Sequence, residues 1–278
     1  MNAVLARPEP RLQRTEGEGR ASFLTRDGKT ALATLHQGGA AKIRLPRARG
    51  IEAEAVLINS SGGLAGGDQM RWRIEAGAGA RVVVTTQACE RAYRTLGETA
   101  RVEVDLTVGA GARLDWLPQE TILYDRSALA RTLSAQIAPG GTLLVCEPVL
   151  LGRLAHGETV RAAHFHDRWR IRRGGVLVLA EDTRLDGEVD RIAARAATLG
   201  GGAAYASLAL ITDDPEPFLL PVRQALEADD GAFGGASAFD GKLICRLVAQ
   251  DGQKLRRSLI PILKALRGGL DLPRSWMS

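Results

Sequence analysis

The sequence predicts a mostly β protein made of stacked, superhelical β-layers, with repeats of roughly 30 residues and a small C-terminal part containing two α-helices. Three observations lead there. Glycine is over-represented, 32 of 278 residues, against a usual share of about 7%, which calls for many turns and short strands. Small-residue turns recur: Gly77-Ala-Gly-Ala-Arg81, Gly109-Ala-Gly-Ala-Arg113, Ala138-Pro-Gly-Gly-Thr142 and Arg172-Arg-Gly-Gly-Val176. Each is followed by an apolar run that reads as a buried strand ending in polar or charged residues. Between the turns lie strictly alternating stretches such as Ala100-Arg-Val-Glu-Val-Asp-Leu-Thr-Val108, the pattern of a strand buried on one face.

In chain order, residues 1–18 read as a disordered charged lead-in and 19–278 as a single β-rich domain. From about Gly19 the strands begin: Ala21-Ser-Phe-Leu-Thr, a turn at Asp27-Gly28, then Thr30-Ala-Leu-Ala-Thr-Leu and Ala41-Lys-Ile-Arg-Leu45. Ala130 to Ile137 and Val160 to Arg172 alternate like Ala100 to Val108. After Gly200-Gly-Gly202 comes a strand from Ala203 to Ile211. Phe218, Val222, Ala225 and Leu226 have helical spacing and predict a helix near 214–228. A strand pair is expected around Gly241 to Val248. Leu255, Leu259, Leu263 and Leu266 predict a second helix near 254–267, stopped by Gly268-Gly269. Pro221 and Pro261 fall inside these patterns and predict a late start or a kink.

Composition narrows the function classes. Net charge is +5, carried mostly by scattered arginines without interleaved aromatics, so the expected partners are acidic proteins and not nucleic acid. Cys89, Cys146 and Cys245 are odd in number and far apart, which argues for a reducing compartment. No apolar signal core follows Arg7, Glu9, Arg11 and Arg14, and no run of about 18 apolar residues occurs. The expectation is a cytoplasmic protein that does not span a membrane.

The stretch Leu57-Ile-Asn-Ser-Ser-Gly-Gly-Leu-Ala-Gly-Gly-Asp68 is the most unusual. Gly62, Gly63, Gly66 and Gly67 mark a sharp turn after a strand. It is not a phosphate loop, because no Lys-Ser or Lys-Thr follows and the next segment reads as strand. The turn is expected to present Asp68. Zinc, EF-hand and Gly-x-Ser-x-Gly signatures are absent. On a strand, His164 and His166 would share a face and could hold a metal, but the plainer reading is two solvent-facing histidines. The repeat strands end near Glu90, Glu120, Glu147 and Glu181. Glu120 and Glu147 lie in apolar stretches. A buried acid there needs either an arginine, for which Arg91, Arg94 and Arg153 are available, or a cation held by several oxygens.

Gly62-Gly-Leu-Ala-Gly-Gly-Asp68, Thr85-Thr-Gln-Ala, Tyr93-Arg94, Trp116-Leu-Pro-Gln-Glu-Thr121 and Leu151-Gly-Arg-Leu-Ala-His-Gly-Glu158 occur in order. With a closing Leu272-Pro-Arg-Ser-Trp276, they resemble the UreD (UreH) family of urease accessory proteins over roughly residues 19–275. The resemblance implies a β-rich stack with a small helical part and no turnover of its own. It implies a scaffold for nickel insertion into urease, binding the urease apoprotein on one side and UreF with the GTPase UreG on the other. An internal path for transient nickel, with no permanently bound cofactor, is part of the same implication.

Carried onto this chain, Asp68 closes the Gly-Gly-Asp motif, with Gln69 where relatives often have an acid. Glu120 and Glu158 lie in the two later motifs, and Cys89 takes no metal role. Asp68, Glu120, Glu147 and Glu158 are therefore the candidate nickel-path contacts. Scattered carboxylates suit a cation that must leave again. Two other readings stand beside this one: a polysaccharide-acting solenoid enzyme, disfavoured by scarce aromatics, and a passive assembly scaffold without a nickel path. Whether the complex forms a homodimer is left open.

Overall fold

The computed structural model of the chain describes residues 13–47 and 50–277. Most of the expected lead-in, residues 1–12, lies outside the described residues. Strand β1 (Glu16–Arg26) begins three residues before the expected Gly19 and forms a hairpin with β2 (Lys29–Gly39). Its turn residues, Asp27 and Gly28, both have positive φ (51° and 71°), the requirement of a two-residue hairpin turn that matches the twist of the strands. An antiparallel pair follows, β3 (Ala41–Arg44) with β4 (Ala53–Asn59).

The chain then winds into coils. The first contains β5 (Gln69–Ala76), β6 (Arg81–Thr86) and β7 (Glu90–Ala92), and the second β8 (Ala100–Val108), β9 (Arg113–Trp116) and β10 (Thr121–Leu123). The third contains β11 (Ala128–Ile137) and the long β12 (Thr142–Leu151). Because each coil repeats the path of the last, like strands stack in parallel, with a repeat of about 32 residues. The hairpin β13 (Ala162–Arg173) and β14 (Val176–Glu188) closes the stack. A short helix α1 (Val189–Ala194) leads to β15 (Ala204–Ile211), and α2 (Glu216–Glu227) to the hairpin β16 (Ala232–Phe239) and β17 (Lys242–Ala249). Helix α3 (Gly252–Leu266) completes the fold.

Two sheets result. The first runs β14-β13-β11-β8-β5-β1-β2, and the second β16-β17-β15-β12-β9-β6-β4-β3, with β7 and β10 pairing beside it. Between the sheets, rungs of inward side chains stack. Trp72, Val104, Leu133 and Trp169 form one, and Ile74, Leu106, Ala135 and Ile171 another. On the outer face of the first sheet the alternate positions form a charge ladder, Arg71 to Glu103 (2.8 Å) and Arg73 to Asp105 (3.3 Å). The second sheet is covered on both faces. Val82, Val84 and Trp116 face the first sheet, whereas Val83, Leu144, Leu208 and Leu210 face α2 and α3. Burial on both faces is why β6, β12 and β15 read as apolar runs without alternation.

Three expectations change. The turn Arg172 to Val176 does not launch a fourth buried strand. Gly174 and Gly175 both have positive φ (53° and 83°), so the chain reverses within the same sheet. The other three turns each have one such glycine, Gly79, Gly111 or Gly140, and carry the chain to the other sheet. Strand β14 is consequently an edge, with Val176 67% exposed. A third α-helix, the six-residue α1, was too short to leave a periodic signal. Helices α2 and α3 run through Pro221 and Pro261. In α3 the side chains of Leu255, Leu259, Ile262, Leu263 and Leu266 are fully buried, and that packing outweighs the lost backbone bond. Gly268 and Gly269, both with positive φ, end the helix as expected. No described helix is long and apolar enough to cross a membrane.

Candidate functional site

The glycine turn is built by close approach. A Cβ on Gly63 would lie 2.4 Å from the Tyr93 ring, and one on Gly66 would lie 2.1 Å from Thr95 Oγ1. Between them Leu64 is buried and bridges to Ala92 on β7, and the Tyr93 hydroxyl donates to the Gly62 carbonyl (2.9 Å). Asp68 turns inward. Its Oδ1 accepts from the Thr15 backbone N–H and its Oδ2 from that of Ala65, both at 2.8 Å. The carboxylate thus clamps the entry to β1 onto the turn, and both oxygens are occupied by backbone donors.

Glu158 plays a similar part at the connection between β12 and β13. It accepts from the backbone N–H groups of Asp125 (3.2 Å) and Arg153 (3.1 Å) and from Arg153 Nε (2.8 Å). Partial burial pushes its pKa up, but the Arg153 side chain and the two amides outweigh it and hold the carboxyl below its ordinary value.

Glu120 and Glu147 lie on neighbouring coils, and their carboxylates face different layers. Glu120 looks toward α3, where Arg256 Nη1 donates to it (3.1 Å) and Cys89 Sγ approaches at 3.3 Å. Arg256 also donates to Gln119 and to the Ser275 carbonyl and stacks over Trp276, so Glu120 is tied to the C-terminal segment. Burial, followed by the Glu120 charge, pushes the Cys89 thiol up to about 12, and Cys146 and Cys245 are raised by burial as well. None of the three is a ready thiolate ligand.

Glu147 looks between the sheets. Trp116 Nε1 donates to its Oε1 (2.8 Å) and Arg131 Nη1 meets Oε2 at 2.5 Å. Arg131 also holds Asp167 through two bonds (3.0 and 2.7 Å) and donates to Thr121 Oγ1 (3.0 Å), while Trp169 Nε1 donates to Asp167 (3.2 Å). One guanidinium therefore serves two buried carboxylates. Burial raises Glu147 to about 7, Arg131 pulls it back, and the Asp167 charge adds to the rise. Arg131 itself stays charged: burial opposes its charge, but Asp167 and Glu147 more than restore it.

Glu90, on β7, is also raised to about 7, by burial that two hydrogen bonds from Asn59 (3.2 Å each) only partly offset. It borders a cavity of about 140 Å³ together with Asn59, Cys89 and Trp72. Glu181 leaves this series, because it stands on the edge strand β14 and pairs with Arg246 (2.6 Å). Nor do the expected arginines all serve. Arg153 pairs with Glu158, but the partners of Glu120 and Glu147 are Arg256 and Arg131 instead of Arg91 and Arg94. Arg131 was legible in principle. It sits in phase with the buried Leu129 and Leu133, as Asp167 sits in phase with Phe165 and Trp169.

His164 and His166 point outward and are each committed to an aspartate on β14, His164 to Asp186 and His166 to Asp182 (2.5 Å). Among the described residues no group of three or more His, Cys, Asp or Glu side chains converges as a metal site. The candidate acids divide into two turn clamps, Asp68 and Glu158, and two arginine-compensated buried groups, Glu120 and Glu147.

Fold and site together define a three-coil β-solenoid with a helical layer on one sheet and compensated acids inside. The model of the family described as "UreD urease accessory protein" matches residues 15–277. A urease accessory protein UreD of Rhizobium leguminosarum bv. viciae is 50% identical over 276 residues, covering 99% of each chain. One from Rhizobium leguminosarum bv. trifolii is 50% identical over 273 residues, covering 98% of this chain and 99% of the relative. The chain belongs to the UreD family of urease accessory proteins, which implies a role in urease maturation.

Proposed function

We propose that the chain is a non-catalytic, cytoplasmic scaffold that holds the urease apoprotein and the UreF–UreG complex together while nickel passes to the nascent active site. The observation that carries the nickel part is a pair of carboxyls, Glu147 buried between the sheets and the half-buried Glu90 beside a cavity, each raised to about 7. Such groups exchange protons near neutral pH, and an incoming divalent cation could replace the proton or compete with Arg131 for the same oxygens. The lack of a convergent ligand set among the described residues suits cargo that must leave again. A bound metal is not part of the scaffold in this reading.

One observation favours the second reading, a passive scaffold. Each of the four candidate acids already has an arginine or backbone amide partner, which leaves little uncompensated negative charge to draw a cation. Isosteric Glu90→Gln and Glu147→Gln, singly and together, separate the two. If nickel passes by these groups, complexes with urease apoprotein and UreF–UreG assemble normally by gel filtration, while the nickel content of the matured urease falls several-fold. Normal nickel content in urease matured by all three variants sinks the conduit and leaves the scaffold.

A further inference from the structure

The acids at the turns and at the ends of the repeat strands are compensated in two ways, with one exception. Glu120, Glu147, Glu158 and Glu181 each have an arginine, and Asp68 has two backbone amides. Among the described residues, Glu90 has no arginine and only one amide. Its contacts are long: Asn59 Nδ2 lies 3.2 Å from each oxygen, and the Arg91 backbone N–H 3.3 Å from Oε1. The Arg91 guanidinium is exposed and bonds to the Tyr93 side chain. The Asp68 charge adds to the negative field at Glu90. A carboxylate drawn out of water without a cation is costly, and what relieves it is a proton or an incoming cation.

Room for a cation lies beside it. The cavity of about 140 Å³ equals roughly four or five waters at about 30 Å³ each. That space takes a divalent ion with part of its water shell but no bulky ligand. Asn59, Thr86, Gln87 and Cys89 line it with Glu90, and Trp72 of the first sheet stands on its wall. The Cys89 thiol is raised to about 12 and engaged with Glu120, so the wall offers oxygens and no thiolate. One carboxylate with neutral amides and a hydroxyl suits a weakly held, largely hydrated divalent ion. Glu90 also stands in line with the interior. Across the coils it pairs with Thr121, and Thr121 with Val149, so the three share a face. Thr121 accepts from Arg131, and Glu147 lies two residues before Val149 on that same face.

We propose that the Glu90 cavity is a way station for a hydrated divalent cation, with Glu90 bound to the ion directly and the oxygens of Asn59, Thr86 and Gln87 holding its waters. The proposal rests on the reading of nickel as cargo and names the residue at which the ion pauses. The ion takes the place of the proton on Glu90, which is released to solvent and returns when the ion leaves. Affinity therefore rises with pH until the carboxyl is fully ionised.

The test titrates the full chain, free of other proteins, with Ni²⁺ and follows tryptophan fluorescence, because Trp72 lines the cavity and bound Ni²⁺ quenches an adjacent indole. A saturable quench is expected, about ten-fold tighter at about pH 8 than at about pH 6, since Glu90 is raised to about 7. Glu90→Gln, which keeps the side-chain shape, should weaken binding about ten-fold or more. Gln87→Glu adds a second carboxylate to the wall at an exposed position and should tighten it several-fold. Affinities within about two-fold of wild type for both variants overturn the station, as does a wild-type chain that shows no saturable quench. A quench that survives Glu90→Gln and disappears when His164 and His166 are both replaced by alanine assigns the ion to the outer face and overturns it too. Loss of the quench in Glu90→Gln with normal nickel content in the matured urease supports the cation site and sinks the conduit, so the two readings fail separately.

Discussion

Among the described residues, two groups in which one buried arginine meets two acids are built differently. Between the sheets, Arg131 on β11 meets Asp167 from the adjacent strand β13 and Glu147 from β12 of the facing sheet, and Thr121, Trp116 and Trp169 donate or accept at the remaining positions. Between the second sheet and the helical layer, Arg267, just after α3, meets Asp115 on β9 and, at 2.7 Å, Glu52 from just before β4. There Asp115 has a second cation, Arg113 (2.9 Å), and Glu52 keeps an oxygen, Oε1, buried without a hydrogen bond. Burial raises Glu52, and the Arg267 charge pulls it back. The first group is closed and depends on a single guanidinium. The second is spread over two arginines and ties distant parts of the chain together. Buried charge of the first kind fails when one member is lost, whereas the second kind has a reserve.

That contrast predicts unequal losses. Arg131→Met should leave two carboxylates uncompensated in the core and cost about 3–5 kcal/mol. Arg267→Met should cost less, about 1–3 kcal/mol, because Asp115 keeps Arg113. Urea unfolding of the two variants checks the order, and equal losses would mean that Arg113 does not act as a reserve.

A smaller effect should appear in pH dependence. Glu147 and Glu90 have folded values of about 7, above their ordinary 4.5. Between those values the folded state holds protons that the unfolded state has released, so their contribution to stability falls as pH rises through that window. Glu147→Gln should flatten the slope of the unfolding free energy between pH 4.5 and 7, with little left to flatten above it. An unchanged slope in the variant would remove Glu147 as its source.

The smallest change belongs on the surface ladder. Arg71→Ala breaks a half-exposed pair with Glu103 and should cost no more than about 1 kcal/mol. A loss comparable to that of Arg131→Met would mean that the outer ladder, and not the buried group, holds the coils in register.

Much of the solenoid was legible because its causes are local. Period-two alternation identified the strands of the first sheet, and Gly77 to Ala80 and Gly109 to Ala112 identified the turns that cross between sheets. The pairing of the acids was not legible, because a charge in an apolar phase states that it is buried without naming its partner. Arg131 and Asp167 are such residues, brought together only when β11 and β13 stack in register. Glu181 shows the converse. It follows a turn that resembles the others in composition, yet the second positive φ in that turn keeps the chain in the first sheet and puts Glu181 on the edge strand β14, where it pairs with Arg246.

The sequence by itself determined the β class, the repeat, the two longer helices and the turn that positions Asp68, since each follows from backbone preference and hydrophobic period over a few residues. Only the tertiary structure decided that Asp68 would clamp a strand, that Glu147 would share Arg131 with Asp167, and that Glu90 would border a cavity without an arginine to hold it. Those outcomes depend on which strands become neighbours, and that is set by the stacking of the whole chain.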